Sequence, residues 1–498
     1  MQPHRTVQAA AESAAAQQQQ QQQQQVHLDC NAFLGTCSNE ELQHMRKLAH
    51  LCSQTYYMGR LTPRKVQLWH KMELITTSLC CDRLVYEPSR TDQDVLMEAD
   101  GMAGPGFADA LQLYGDSGSA EEELPTSSSN AEASSSGAAG PLLGCPSEWF
   151  VCDDEASSTR YFVIQGSDSL DHWKTNLMFE PVAFEDAGLG IKVHRGAYEA
   201  AQALYERFLP LVQEQVDSDP CARVAFTGHS IGGAMAVLLM TMFRRRGVLG
   251  PQQVAPVYTF GSPAIFCDGA LGACSAVARC CPPGLKEDII RCVIATRDIV
   301  PRAFSCDYSP VAELLRSWGP SWREHSCLAG GATGAGRRQL YVHIGRMLVL
   351  QPSPELRFIT EASPHLPLLP QQPGVYEILA KPSLAQSMAA GRLRSKALRH
   401  GAALGRPAAS QHEALAAIMD CPHPLETLAD PGAYGSAGSI SRYHNPDNYC
   451  AALGRVLADR REAAAAQLRE APFVVPGRAA QHRPFFPAAA HASVEEAA

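Results

Sequence analysis

Two hydrophobic periods alternate along this chain, and the points where one gives way to the other delimit its elements. Compact apolar runs at 161–164, 224–226, 257–260 and 289–295 predict strands, and 340–350 has strand character as well. Helical spacing fills the stretches between. Ser38 with Glu41 three residues on is a capping-box pattern, after which Leu42, Met45, Ala49, Cys52 and Tyr56 recur on one face. Thr62-Pro63 starts a second helix with proline at its first position and Val66, Trp69 and Met72 on one side. This N-terminal pair reads as packing or cover. A longer helix follows Val193 to about Gln215, burying Tyr205, Phe208 and Leu209, and the last helix runs from about Tyr449 to Arg469. Strands interleaved with helices in this way predict an α/β fold with a largely parallel sheet.

One stretch carries both periods. An apolar run at 224–226 turns through Gly228-His229-Ser230-Ile231-Gly232 and continues as a helix rich in Ala, Leu and Met, ending near Phe243 and Arg244-Arg245-Arg246. G-x-S-x-G between a strand and a helix places a serine on a strained turn, with glycines keeping the backbone uncrowded. The helix start also aims free N–H groups at whatever that serine meets. A glycine-rich turn of an ordinary α/β unit would produce the same letters. The basic triplet at the far end complements the helix dipole and reads as structural.

Composition narrows the class without naming it. The 498 residues exceed one typical domain, 45% hydrophobic content supports a real core, and a net charge of −9 with no basic stripe speaks against nucleic acid. Seventeen cysteines, an odd number without a C-x-x-C pair, suit neither a zinc site nor a disulfide framework and predict reduced thiols. No apolar run approaches the roughly 20 residues that cross a bilayer. The organisation reads as a Gln/Ala-rich start at 1–37 with unbroken glutamine at 17–25, a helical extension at 38–116 and a Ser/Ala/Gly-rich linker at 117–144. The main domain then occupies 145–470, with a disordered Pro/Ala/Gly/Arg-rich insertion at 363–411, and 471–498 form a tail. Arg392, Arg394, Lys396, Arg399 and Arg406 make that insertion basic, which reads as a solvated loop before a patch for acidic head groups. Alanine-rich, acid-poor beginnings suit an organelle transit peptide, whereas few serines and the single Arg5 argue against one.

A serine nucleophile needs a base and an acid to orient it, here expected in the chain order serine, acid, histidine. Catalytic groups gather beyond the carboxyl ends of strands. Asp298 sits there, directly after the run at 289–295, whereas Asp288 is at the wrong end of that run and Asp307 lies further into the loop. Three histidines compete. His343 falls within a predicted strand, and His423 and His444 sit in late loops, with His444 just before the last helix favoured by spacing. Two oxyanion donors are required. The N–H of Ile231, next after the serine, is one, and the Gly166-Ser167 turn closing the run at 161–164 is placed for the other.

These residues resemble a known family. Gly228 to Gly233 resembles the GHSLGG elbow of fungal-type (class 3) triacylglycerol lipases, Gln165 to Trp173 resembles their oxyanion loop and lid, and Asp298-Ile299-Val300-Pro301-Arg302 matches their D-x-V-P-R acid motif. Glu148 to Asp154, Val193 to Ala200, Arg297 to Cys306 and His423 to Ser436 are similar to the plant and algal plastid members, and the likeness covers most of 40–453. In that subfamily the histidine is expected in an R-D-H-D-x-x-x-Y-L segment. It stands here as Arg442-Tyr443-His444-Asn445-Pro446-Asp447-Asn448-Tyr449-Cys450, so the resemblance favours His444. Tyr443 and Asn445 replace the flanking aspartates, and Ile231 and Gln165 replace leucine and arginine.

The resemblance implies an α/β-hydrolase core and a Ser230–His444–Asp298 triad, with Ser167 and Ile231 as oxyanion donors and no cofactor or metal. It implies a lid built on Leu170, Trp173 and Leu177 that contacts the membrane. The substrates it implies are plastid membrane glycerolipids, phospholipid or galactolipid, cut at the sn-1 ester in the chloroplast, at the stroma or thylakoid membrane. A lipase-like scaffold without hydrolysis, or an acyltransferase, would share these motifs.

Overall fold

The computed structural model describes residues 28–79, 147–166, 180–267, 289–317, 323, 338–353, 369, 370, 372–383, 388, 406–436 and 438–470. The expected linker, tail, lid residues Leu170, Trp173 and Leu177, oxyanion residue Ser167 and the basic side chains from Arg392 to Arg399 lie outside them. The chain divides into two compact units, 1–457 and 458–498, the second contributing the C-terminal part of the last helix.

The first unit begins with β1 (Leu28–Asp29) and β2 (Leu34–Thr36), then helices α1 (Asn39–Gln54) and α2 (Pro63–His70) and strand β3 (Glu73–Thr77). Ser38 and Thr62 cap the two helices, accepting the N–H groups of Glu41 and Lys65. Strands β4 (Trp149–Asp154), β5 (Thr159–Ile164), β6 (Pro181–Ala183) and β7 (Lys192–His194) lead into α3 (Arg195–Ser218). Next come β8 (Arg223–His229), α4 (Ile231–Arg245), β9 (Val257–Phe260), β10 (Phe266–Cys267) and β11 (Ile290–Ala295). Short helices α5 (Val300–Ala303) and α6 (Ala312–Ser317) precede β12 (Arg346–Gln351), β13 (Gly374–Ile378) and β14 (Arg406–Pro407). Helices α7 (Gln411–Asp420), α8 (Pro424–Ala429), α9 (Ser439–His444) and α10 (Pro446–Glu470) close the order.

Nine of these strands form one sheet in the order β2-β13-β12-β11-β9-β8-β5-β4-β3. The five central strands, β12 to β5, are parallel, and an antiparallel pair flanks them on each side. Buried on both faces, the central strands read as continuous apolar runs, which is why they are visible in the sequence. One face packs on α3, α4 and α7 through Phe208, Leu238, Phe243 and Ile418. The other packs on α1 and the start of α10 through Leu42, Met45, Leu48, Tyr449 and Leu453. This is a three-layer α/β/α core of the α/β-hydrolase type.

Two expectations change. The segment from residue 28 to Thr77 supplies both outermost strands of the sheet, so it is built into the core rather than appended to it. Strand β13 falls inside the stretch expected as an insertion at 363–411, and pairs with β12 and β2. Its five residues, Gly-Val-Tyr-Glu-Ile, are too few to stand out among surrounding prolines and glycines. None of the ten described cysteines is in a disulfide. Among the described residues no helix is long and apolar enough to cross a membrane.

Candidate active site

Strand β8 ends at His229 and α4 begins at Ile231, leaving Ser230 alone at the turn between them. Its φ of 56° and ψ of −134° lie where L-residues rarely go. Such a residue costs about 1–3 kcal/mol and persists only where its surroundings over-determine it. They do so here. Ser230 donates its N–H to the Phe260 carbonyl at 2.9 Å and accepts the Gly233 N–H at 3.0 Å. Gly232 lets the turn close: a Cβ there would stand 2.3 Å from the Ile164 carbonyl oxygen and 2.5 Å from that of Gln165. Any side chain would force the elbow off β5. The N–H groups of Ile231 and Gly232, in the first turn of α4, have no partner among the described residues, as expected at a helix start.

Asp298 stands three residues beyond β11 and is fully buried. Its carboxylate collects three donors. The Val300 N–H reaches Oδ1 at 2.9 Å, the Tyr449 hydroxyl reaches Oδ2 at 2.6 Å, and Nδ1 of His444 lies 2.9 Å from Oδ2 and 3.1 Å from Oδ1. Charge-assisted bonds of this kind are the strong ones. Tyr449 is itself fixed by accepting the Ala295 N–H at 2.8 Å, and burial, followed by the Asp298 charge, holds its phenol well above the ordinary value. Arg302, fully buried, ties the loop down by donating to the carbonyls of Asp298, Ala295 and Ile418. Burial lowers its pKa, and the neighbouring Asp298 carboxylate opposes that shift.

His444 links acid to serine. Its Nε2 lies 2.9 Å from Ser230 Oγ. Because a carboxylate only accepts, Nδ1 must carry the proton, which leaves Nε2 of the neutral ring free to accept from the serine hydroxyl. His444 ends helix α9, with only Asn445 between it and Pro446 at the start of α10, rather than sitting in an open loop. The structure therefore brings Ser230, His444 and Asp298 into one hydrogen-bonded series, with Ile231 directly after Ser230 at the start of α4.

The competing residues are occupied elsewhere. His423 caps α8 by accepting the Leu425 N–H, and its Nε2 meets the Asp307 carbonyl. Asp307 accepts the N–H groups of Ser309 and Arg338, and Asp288 lies outside the described residues. His343, buried, donates from Nε2 to the Pro301 carbonyl at 2.8 Å, and burial pushes its pKa from 6.5 down to about 4. His44 and His50 are likewise lowered to about 4 by burial. A histidine kept neutral in the native state but protonated at pH 6.5 when unfolded contributes stability above that pH and loses it as pH falls toward 4. Melting temperature should therefore drop between pH 6.5 and 4, each such group adding up to about 1.4 kcal/mol per pH unit. Thermal denaturation of His343→Gln should show a shallower dependence, and an unchanged slope would refute the assignment.

Three supporting side chains are not identifiable as such from the sequence. Tyr449 was visible as part of a motif, but not as a ligand of the acid. Arg302 is the last residue of the acid motif, which does not identify it as a buried donor to the Asp298 loop. Tyr56 looked like the apolar end of a helix face, yet its hydroxyl lies 2.7 Å from Nδ1 of His229, the residue before Ser230. His229 itself is buried, and burial, then the neighbouring His444, holds its pKa well below the usual range.

Residues 161–308 match the family described as Lipase (class 3). Over these residues the chain is similar to class 3 lipases. Ser230 and Asp298 fall inside the matched stretch, whereas Tyr56, His444 and Tyr449 fall outside it. Two Arabidopsis thaliana proteins named phospholipase A1, chloroplastic, are similar to this chain over a longer span. PLIP1 is 40% identical over 318 residues, which cover 64% of this chain and 42% of that protein. PLIP2 is 37% identical over 320 residues, 63% of this chain and 39% of that protein. The lipase of Rhizomucor miehei is 32% identical over 116 residues, 23% of this chain and 31% of that protein. The chain thus spans well under half the length of the two plant relatives.

Proposed function

We propose that this protein is a serine acyl hydrolase that releases fatty acids from membrane glycerolipids, cutting the sn-1 ester of phospholipids as a phospholipase A1. The observation that carries this reading is the series Asp298–His444–Ser230, 2.9 Å at each link, with the serine on a strained turn before a helix. The names of the two plant relatives support the substrate class and a site of action in the plastid.

In this reading Ser230 Oγ attacks the ester carbonyl carbon while its proton passes to His444 Nε2. The imidazolium that forms is stabilised by the Asp298 carboxylate. Negative charge moves onto the carbonyl oxygen, where the Ile231 N–H donates to it at the positive end of α4, and Ser167 is assigned the second donor. His444 then gives its proton to the departing lysolipid oxygen, and the C–O bond breaks to leave an acyl-Ser230 ester. Water attacks that ester as His444 takes its proton. Collapse of the second tetrahedral intermediate frees the fatty acid and restores Ser230.

Vesicles of phosphatidylcholine, phosphatidylglycerol or galactolipid, each with different acyl chains at sn-1 and sn-2, provide the test. Mass spectrometry should find the sn-1 acid and the 2-acyl lysolipid from the phospholipid vesicles. Release confined to galactolipid would overturn the substrate class, and release of the sn-2 acid would overturn the position. Transfer of the acyl group to an added alcohol instead of water would make the protein an acyltransferase.

A further inference from the structure

The N-terminal segment lies outside the matched lipase stretch, yet it reaches the centre of the site. Helix α1 packs on the sheet face that carries Tyr449, and passes into a 3-10 turn at Thr55–Arg60. Inside that turn Tyr57 leaves helical geometry (φ −125°, ψ 35°), so two consecutive tyrosines engage different partners. The Tyr57 hydroxyl donates to Asp447 Oδ2 at 2.6 Å, and Ser53 donates to Oδ1 of the same carboxylate. Asp447 lies three residues after His444, in the first turn of α10. The turn is thus anchored to the chain that carries the base.

Tyr56 engages the other half of the site. Its phenol oxygen accepts the Gly166 N–H at 3.2 Å and lies 2.7 Å from His229 Nδ1. Its ring meets the His229 ring edge-on, with centroids 5.6 Å apart, and His229 in turn packs on His444 at 4.6 Å. Gly166 follows the end of β5 directly before Ser167. It lies so close to the elbow that a Cβ on it would stand 2.6 Å from Ser230 Cβ and 2.6 Å from the Tyr56 oxygen. One hydroxyl group therefore bonds both the backbone leading into the oxyanion turn and the residue preceding the nucleophile.

We infer that Tyr56 is a positioning residue of the active centre, whose hydroxyl ties the Gly166 peptide and His229 to the Ser230 elbow that presents the Ile231 N–H as oxyanion donor. The inference rests on the hydrolase reading above. Oxyanion donors act through being held in place before charge develops, and a displacement of about 1 Å costs on the order of a hundredfold in rate. Tyr56→Phe keeps the ring and removes only the hydroxyl. It should lower kcat by about ten- to a hundredfold with KM within about twofold. A role in folding alone would reduce the number of working sites, not the rate at each.

The test uses the full chain. Working sites are counted by end-point labelling with a fluorophosphonate, and kcat per labelled site is measured on a soluble p-nitrophenyl ester. Affinity for a trifluoromethyl ketone, which forms an oxyanion adduct on the serine, should fall in Tyr56→Phe by the same factor as kcat. Should that variant not fold, 3,5-difluorotyrosine at position 56 preserves the shape while weakening the phenol as an acceptor, and should give a smaller loss in the same two readings. Wild-type kcat per site with wild-type ketone affinity, in whichever variant folds, overturns the assignment alone. A wild-type protein that takes no fluorophosphonate and cleaves no ester overturns the hydrolase reading, and this assignment with it.

Discussion

Replacing Ser230 with alanine should lower kcat by about a millionfold, leaving only the slow turnover that an oxyanion site and substrate binding sustain. The size follows from what the hydroxyl does in the proposed reaction: it supplies the bonding electron pair, and no neighbouring group can take its place. His444 is held 2.9 Å from that oxygen by Asp298, so its lone pair serves this hydroxyl. The fold should be almost indifferent. Alanine meets the same backbone conformation, and the N–H bond to the Phe260 carbonyl remains. Fatty-acid release from vesicles, fluorophosphonate labelling and the melting temperature together decide the matter. An alanine variant that still releases acid at a tenth of the wild-type rate would remove Ser230 from the chemistry and sink the hydrolase reading.

Ser230 is legible in the sequence while most of its supports are not, and the difference lies in how each is encoded. A nucleophile on a strand-to-helix turn imposes local constraints: glycines where backbones touch, an apolar strand before and an apolar helix after. All of these fall within 20 residues and are legible. Asp298 was legible for a related reason, since it directly follows a buried strand whose end could be located. His444 depends on the fold of the last helices, and spacing alone left it competing with His423 and His343. Tyr56 is legible only as part of a helix face, and Arg302 only as the last residue of the acid motif, neither as a support of the site. Tyr56 meets Gly166 across 110 positions and His229 across 173, and no periodicity links residues so far apart. The same limit hid the edge strands. β2 and β13 pair across more than 300 positions and have three and five residues, too few to carry a recognisable period of their own.

The second large effect is expected at Asp298, and there it concerns proton placement rather than bond formation. Asp298→Asn preserves size and nearly preserves shape, but it exchanges one acceptor oxygen for an NH2 donor. Both oxygens are already claimed by donors, Oδ1 by the Val300 N–H and Oδ2 by the Tyr449 hydroxyl, while His444 Nδ1 donates to the same carboxylate. An amide cannot satisfy three donors facing two oxygens. The oxygen is best spent on the Val300 N–H, whose direction is fixed by backbone. The NH2 then faces His444, and an imidazole that accepts at Nδ1 must carry its proton on Nε2, pointing at Ser230. In that tautomer the ring cannot take the serine proton. A loss of about ten-thousandfold in kcat is expected from the wrong tautomer alone, with KM little changed because Asp298 is buried away from solvent. Nitrogen NMR of the histidine rings should show Nε2 protonated on His444 in Asp298→Asn and Nδ1 protonated in the wild type. Tyr449→Phe, which leaves the carboxylate in place, should keep the wild-type tautomer. If Asp298→Asn retains more than a tenth of wild-type activity, or if its His444 ring keeps the Nδ1 proton, then Asp298 does not set the tautomer, and another acceptor near the strand ends must hold the base.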